Sequence, residues 1–141
     1  MISFKLFLEQ TDIEEHEHDG AVVHNFHVGP HKVQVTHFMN NSKKGTFIDT
    51  DFEVNGKTMK DPSNNISHSH AVRILSGVGQ SIAKMKEKYK EPNKPMQFEL
   101  YGNTEQKERL YKNAGERLAR KLGGSSRHNS KTLTTYLKFK E

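Results

Sequence analysis

The sequence predicts an α+β domain built on a mixed, mainly antiparallel sheet with two helices, in the order β-β-β-β-α-β-α-β. Three observations predict it. Short runs rich in β-branched and aromatic residues alternate with period two, two later stretches repeat their apolar residues every three to four positions, and turn dipeptides separate the segments. At 141 residues the chain suits one core, so the expected organisation is a single domain over 1–141.

Ile2, Phe4, Leu6 and Leu8 alternate with Ser3, Lys5 and Phe7, which predicts a first strand over 2–9. The acidic stretch 11–20, closed by Asp19-Gly20, reads as a loop. Strands follow over 21–28, closed by Gly29-Pro30, and over 32–38, where Val33, Val35 and His37 share one face. A fourth covers 46–54 and ends at Asn55-Gly56, a pair that suits either a hairpin or a strand end, and 57–65 reads as a loop.

From Ala71 the period changes. Ala71, Ile74, Leu75, Val78, Ile82, Met85 and Tyr89 predict an amphipathic helix over 69–90, stopped by Pro92 and Pro95. Met96 to Tyr101 alternates as a strand. Asn103 and Gln106 resemble a capping box, and Leu110, Ala114, Leu118 and Leu122 predict a second helix over 104–122, stopped by Gly123-Gly124. A polar loop to Ser130 and a last strand over 133–139 complete the order.

With no cysteine, disulfides, zinc-thiolate sites and cysteine nucleophiles are excluded. The apolar N-terminal run is too short for a signal sequence or a membrane span, so the expected location is the cytoplasm. The net charge of +5 is unevenly divided. Residues 1–70 hold six Lys/Arg against ten Asp/Glu, and residues 71–141 hold sixteen against seven. That asymmetry points to a partner recognised by charge, a nucleic acid or an acidic protein.

The element order is similar to that of the GNAT-type N-acetyltransferase fold without the usual helices between its first two strands. Leu110-Tyr111-Lys112-Asn113-Ala114-Gly115 resembles the family's Leu-Tyr-x-x-x-Gly segment, with Asn103 as the preceding Asn. The resemblance implies acetyl-coenzyme A as cofactor, Asn103 as a cofactor contact and Tyr111 as general acid. In the family a Gln/Arg-x-x-Gly-x-Gly/Ala turn holds the cofactor's pyrophosphate on backbone N–H groups. The nearest run here is Arg73 to Gly79, one residue longer, which nominates Ser76, Gly77 and Gly79; close packing of a helix on the sheet suits Gly77 and Gly79 as well. The same half of the chain also looks like small tailed-phage proteins, which implies an accessory protein acting in the host-cell cytosol.

Nine histidines raise the question of a metal. His16-x-His18 among Glu14, Glu15, Glu17 and Asp19, and His68-x-His70, offer ligand types, but neither pair shows a zinc spacing with further ligands, so no metal site is assigned. His128-x-Ser130 resembles one half of a two-histidine phosphoesterase pair, and no second copy occurs. The clearer signal is basic. Lys107, Arg109, Lys112, Arg117, Arg120 and Lys121 lie on the second helix, and Arg127 follows it, a set able to contact phosphates. The expected function is therefore a phage-type accessory protein that binds a nucleic acid or an acidic host protein through its basic C-terminal half; the alternative is an acyl-coenzyme A-dependent N-acyltransferase.

Overall fold

The computed structural model describes residues 12–59, 61–101 and 105–140. The strand expected over 2–9 lies outside these residues. Among the described residues seven strands form one sheet: β1 (Glu14–His18), β2 (Ala21–Val28), β3 (His31–Ser42), β4 (Gly45–Val54), β5 (Met96–Tyr101), β6 (Ser125–Asn129) and β7 (Thr134–Phe139). Their spatial order is β1-β2-β3-β4-β5-β7-β6. Only the β4/β5 pair is parallel, because helix α1 (His68–Tyr89) carries the chain between those strands; α2 (Glu105–Lys121) follows β5. The fold is thus α+β, with a mixed, mostly antiparallel open sheet and two helices.

Two strands stand where the sequence reads as loop. β1 falls inside the acidic stretch 11–20, and β6 inside the polar stretch before Ser130. Among the described residues both are the outer strands of the sheet, where charged and polar side chains blunt unwanted pairing. Among the described residues the order therefore ends β-α-β-β. The tight turn between β1 and β2 is Asp19-Gly20, with φ of 34° and 83°, and Asn55-Gly56 turns in the same way at 56° and 77° to a single bridge between Val54 and Lys57. The segment 61–65 is tied to the end of β4. It contains a 3-10 turn, Pro62–Asn64, and the Asn64 amide donates to the Val54 and Thr58 carbonyls at 3.0 and 2.8 Å.

Both helices cover the same face of the sheet. Alternation buries Val22, Phe26 and Val28 of β2, Val33 and Val35 of β3, Ile48, Phe52 and Val54 of β4, Met96, Phe98 and Leu100 of β5, and Leu137 and Phe139 of β7. Against them α1 buries Ile74, Val78, Ile82 and Met85, and α2 buries Tyr111, Leu118 and Ala119. Among the described residues the opposite face of the sheet carries no helix.

Gly77 seats α1. A Cβ built there would stand 2.3 and 2.4 Å from two atoms of the Phe26 ring, so the helix can approach β2 only because this side chain is absent. Gly77→Ala is expected to lower stability by about 1–3 kcal/mol through overpacking, read as a fall in the urea midpoint at unchanged slope. An unshifted midpoint would show that α1 can lift off the ring without cost.

Candidate functional site

The basic residues of the C-terminal half separate into two groups. Arg109, Lys112, Arg117, Arg120 and Lys121 are all exposed on α2. Its buried side, Tyr111, Gly115, Leu118 and Ala119, is fixed by the sheet, so the helical period turns the cations to solvent. Within α2, Arg120 meets Glu116 at 3.5 Å in an exposed pair that adds little stability. Arg127 lies elsewhere. It pairs in register with Tyr136 on the uncovered face of the sheet and stacks over that ring, 4.7 Å from its centroid. Asn103 and the side chain of Lys107 lie outside the described residues.

On α1 the balance differs. Lys88 donates to Glu15 at 2.5 Å and to Glu17 at 3.1 Å, and the Tyr89 hydroxyl donates to Glu17 at 2.6 Å. The hydrogen bond from Lys88 holds the Glu15 carboxyl below the usual carboxylate range, and that from Tyr89 does the same for Glu17. The acidic N-terminal strand therefore neutralises Lys88, on the helix that the α2 cations do not share.

Between the helices is a cavity of about 210 Å³, lined by Val72, Leu75, Ser76, Gly79 and Ile82 of α1 and by Tyr111, Ala114, Arg117 and Leu118 of α2. It brings together Ser76, Gly79 and Tyr111 from the residues nominated by the acetyltransferase resemblance. Gly77 points away from it, onto Phe26. Ser76 to Gly79 lie two turns inside a helix whose N-cap is Ser67, with its side chain accepting from the His70 N–H. Their backbone N–H groups belong to the helical ladder rather than to a free N-terminus. Tyr111 is 3% exposed, with its ring 6.0 Å from Phe52, and burial followed by the nearby Asp51 carboxylate pushes its ionisation well up. It is a protonated phenol throughout the physiological range.

The most connected polar group among the described residues lies beneath α1. His24 and His37, on the covered faces of β2 and β3, are fully buried, as is Ser81 of α1. The Glu15 carboxylate can only accept, which sets the direction of every bond in the chain. His24 Nε2–H donates to Glu15 at 2.7 Å, and Ser81 O–H donates to His24 Nδ1 at 2.5 Å. His37 Nε2–H then donates to Ser81 Oγ at 2.6 Å, and Thr50 O–H donates to His37 Nδ1 at 2.8 Å. Each ring nitrogen is satisfied with both imidazoles neutral. Burial pushes the His37 imidazole down to about 3 and lowers that of His24, where the Glu15 carboxylate opposes it.

Ser81, His24 and Glu15 have the composition of a nucleophilic triad, but Ser81 has no exposed surface for a substrate to reach. The chain is structural: it locks β1, β2, β3 and β4 to α1. Sequence reasoning does not single out Ser81, although His24 and His37 fall on the apolar phase of their strands, and that is the available signal.

The other histidines do not gather. His16 and His18 are exposed on β1, and His68 and His70 lie in the first turn of α1, so the extended geometry that sets two imidazoles on one side is absent. The His70 ring instead faces His31, with centroids 5.3 Å apart. Among the described residues no group of three or more His, Asp or Glu is placed to hold a metal ion, and no helix is long and apolar enough to cross a membrane. No protein family, curated protein or solved structure matches this chain.

Proposed function

We propose that this chain is an accessory binding protein that holds a polyanionic macromolecule, a nucleic acid or an acidic host protein, through the outward face of α2. One observation carries the reading. Arg109, Lys112, Arg117, Arg120 and Lys121 are exposed on a single helix, whose sequence holds six Lys/Arg against three Glu, Glu105, Glu108 and Glu116. Such a density of cations on a rigid element suits phosphate contacts, which supply affinity without base specificity. An accessory role in a host cytosol, implied by the likeness to small tailed-phage proteins, belongs to the same proposal.

Fluorescence anisotropy with short DNA and RNA over a salt series tests it. Binding is expected to weaken linearly on logarithmic axes, and Lys112→Ala/Arg120→Ala to reduce the slope by about 2, one for each phosphate that is no longer neutralised. Absence of binding to either nucleic acid leaves the acidic protein as the partner; binding that ignores salt overturns the basic-face reading.

The second reading, an acetyltransferase-like fold with acyl-coenzyme A-dependent N-acyltransferase activity, is favoured by the convergence of Ser76, Gly79 and Tyr111 on one apolar cavity. Because Ser76 to Gly79 are mid-helix, side chains such as Ser76 and Arg117 would have to take the role that the family gives to backbone N–H groups. Saturable calorimetric binding of acetyl-coenzyme A moves this reading ahead of the first.

A further inference from the structure

The centre of the uncovered face, on β4 and β5, carries charge opposite to that of α2, with Lys32, Arg127 and Lys138 at its margins. Alternation aims Asp49 and Glu53 of β4 and Glu99 of β5 away from the helices, while the Asp51 carboxylate reaches Tyr111 of α2. Asp49 and Glu99 stand directly opposite each other in the parallel register, and burial together with the adjacent Asp49 carboxylate pushes the Glu99 carboxyl up. Beside this acidic strip Phe38 is 55% and Tyr101 57% exposed, Phe38 sitting opposite Asp49 on β3. The strip is therefore sticky, acidic and open.

Two such faces related by a twofold axis would set carboxylates against carboxylates, which rules against symmetric pairing. The occupant must be cationic, and this chain carries a cationic surface of matching length on its other side. Arg109 to Arg120 spans about 16 Å of helix, and Asp49 to Glu53 spans about 14 Å of strand.

We infer that a second copy of this chain docks head to tail, with the outward face of its α2 laid along the acidic strip formed by β4 and β5. Such interfaces are heterologous, building a ring where the rotation between copies closes and a filament where it does not, so association rises with concentration. The inference goes beyond the polyanion reading and competes with it for α2, so a bound nucleic acid displaces the second copy.

Sedimentation velocity of the full chain over a concentration series tests this at about 25 mM and about 500 mM salt, which bracket the screening of exposed charges. The sedimentation coefficient is expected to rise with concentration at low salt and to stay at the monomer value at high salt. Asp49→Lys/Glu99→Lys is expected to sediment as a monomer at both, as is Lys112→Glu/Arg120→Glu. An equal mixture of the two variants recovers association, because each supplies the charge that the other lacks.

The inference is overturned by a monomer under every condition, by association that survives Asp49→Lys/Glu99→Lys, or by a mixture of folded variants that stays monomeric. A Lys/Arg-rich peptide that binds the strip while the chain stays monomeric also overturns it, placing a foreign basic partner there. Asp49→Lys/Glu99→Lys leaves α2 intact, so retained nucleic-acid binding by this variant separates failure here from failure of the proposed function.

Discussion

Ser81→Ala is expected to cost about 4 kcal/mol of folding stability. The hydroxyl serves two fully buried imidazoles at once, donating to His24 Nδ1 and accepting from His37 Nε2–H. Removing it leaves two buried ring nitrogens without partners, each costing about 1–3 kcal/mol, more than the bonds themselves contributed. Urea denaturation measures the loss. His37→Phe, made alone and with Ser81→Ala, completes a cycle in which the double variant is expected to lose less than the sum of the singles, because the two share one chain. Strict additivity would mean that the groups do not act as a unit.

Acid is expected to undo the same chain. The unfolded protein binds a proton at His37 near 6.5, whereas the folded protein binds it only near 3. Between those values the unfolded state holds more protons, so stability is intact above about pH 6.5 and falls as the pH falls. From pH 6.5 to 4.5 the loss from His37 alone is about 2 kcal/mol, the slope rising towards about 1.4 kcal/mol for each pH unit as the unfolded histidine fills with protons. His24, also lowered by burial, acts in the same direction. Below about 4.5, Glu15 and Glu17 add to the loss, since their carboxyls are held low in the folded state and must then take up protons. Thermal melts at fixed ionic strength between pH 7.5 and 4 check the trend, and His37→Gln is expected to flatten its upper part. A midpoint that is level from pH 7 to 4.5 would contradict neutral, buried imidazoles.

The sequence made the interior legible and left the margins dark. β2, β3, β4, β5 and β7 each have one face in the core, so burial writes a period-two pattern into their residues. α1 and α2 do the same at helical period. β1 and β6 escape because they are edges: every residue of β1 is exposed, and β6 has only His128 partly covered, so no apolar phase marks them. Composition there specifies protection of an edge and looks like a loop.

The site divides along similar lines. Cations on α2 are readable because helical periodicity fixes which way they point. Arg127 groups with them by proximity in sequence, but the chain crosses from α2 into an edge strand, and pairing with Tyr136 sends it to the other face. The division of charge along the chain is not kept whole in the fold: Glu15 and Glu17 meet Lys88 on the covered side, and Arg127 and Lys138 join Asp49 and Glu99 on the uncovered face. Ser81 is invisible for a different reason. A small polar residue on a helix has no periodic signature, and only the register between β2, β3 and α1 reveals that it joins two histidines distant in sequence.

The central claim, that the outward face of α2 is the binding surface, is tested most directly by amide chemical-shift mapping of the labelled chain titrated with a short DNA or RNA. Shifts confined to α2, centred on Lys112 and Arg120 and suppressed by added salt, are the predicted result. Shifts centred on the uncovered sheet around Asp49, Glu99 and Tyr136, with α2 unmoved, would contradict it.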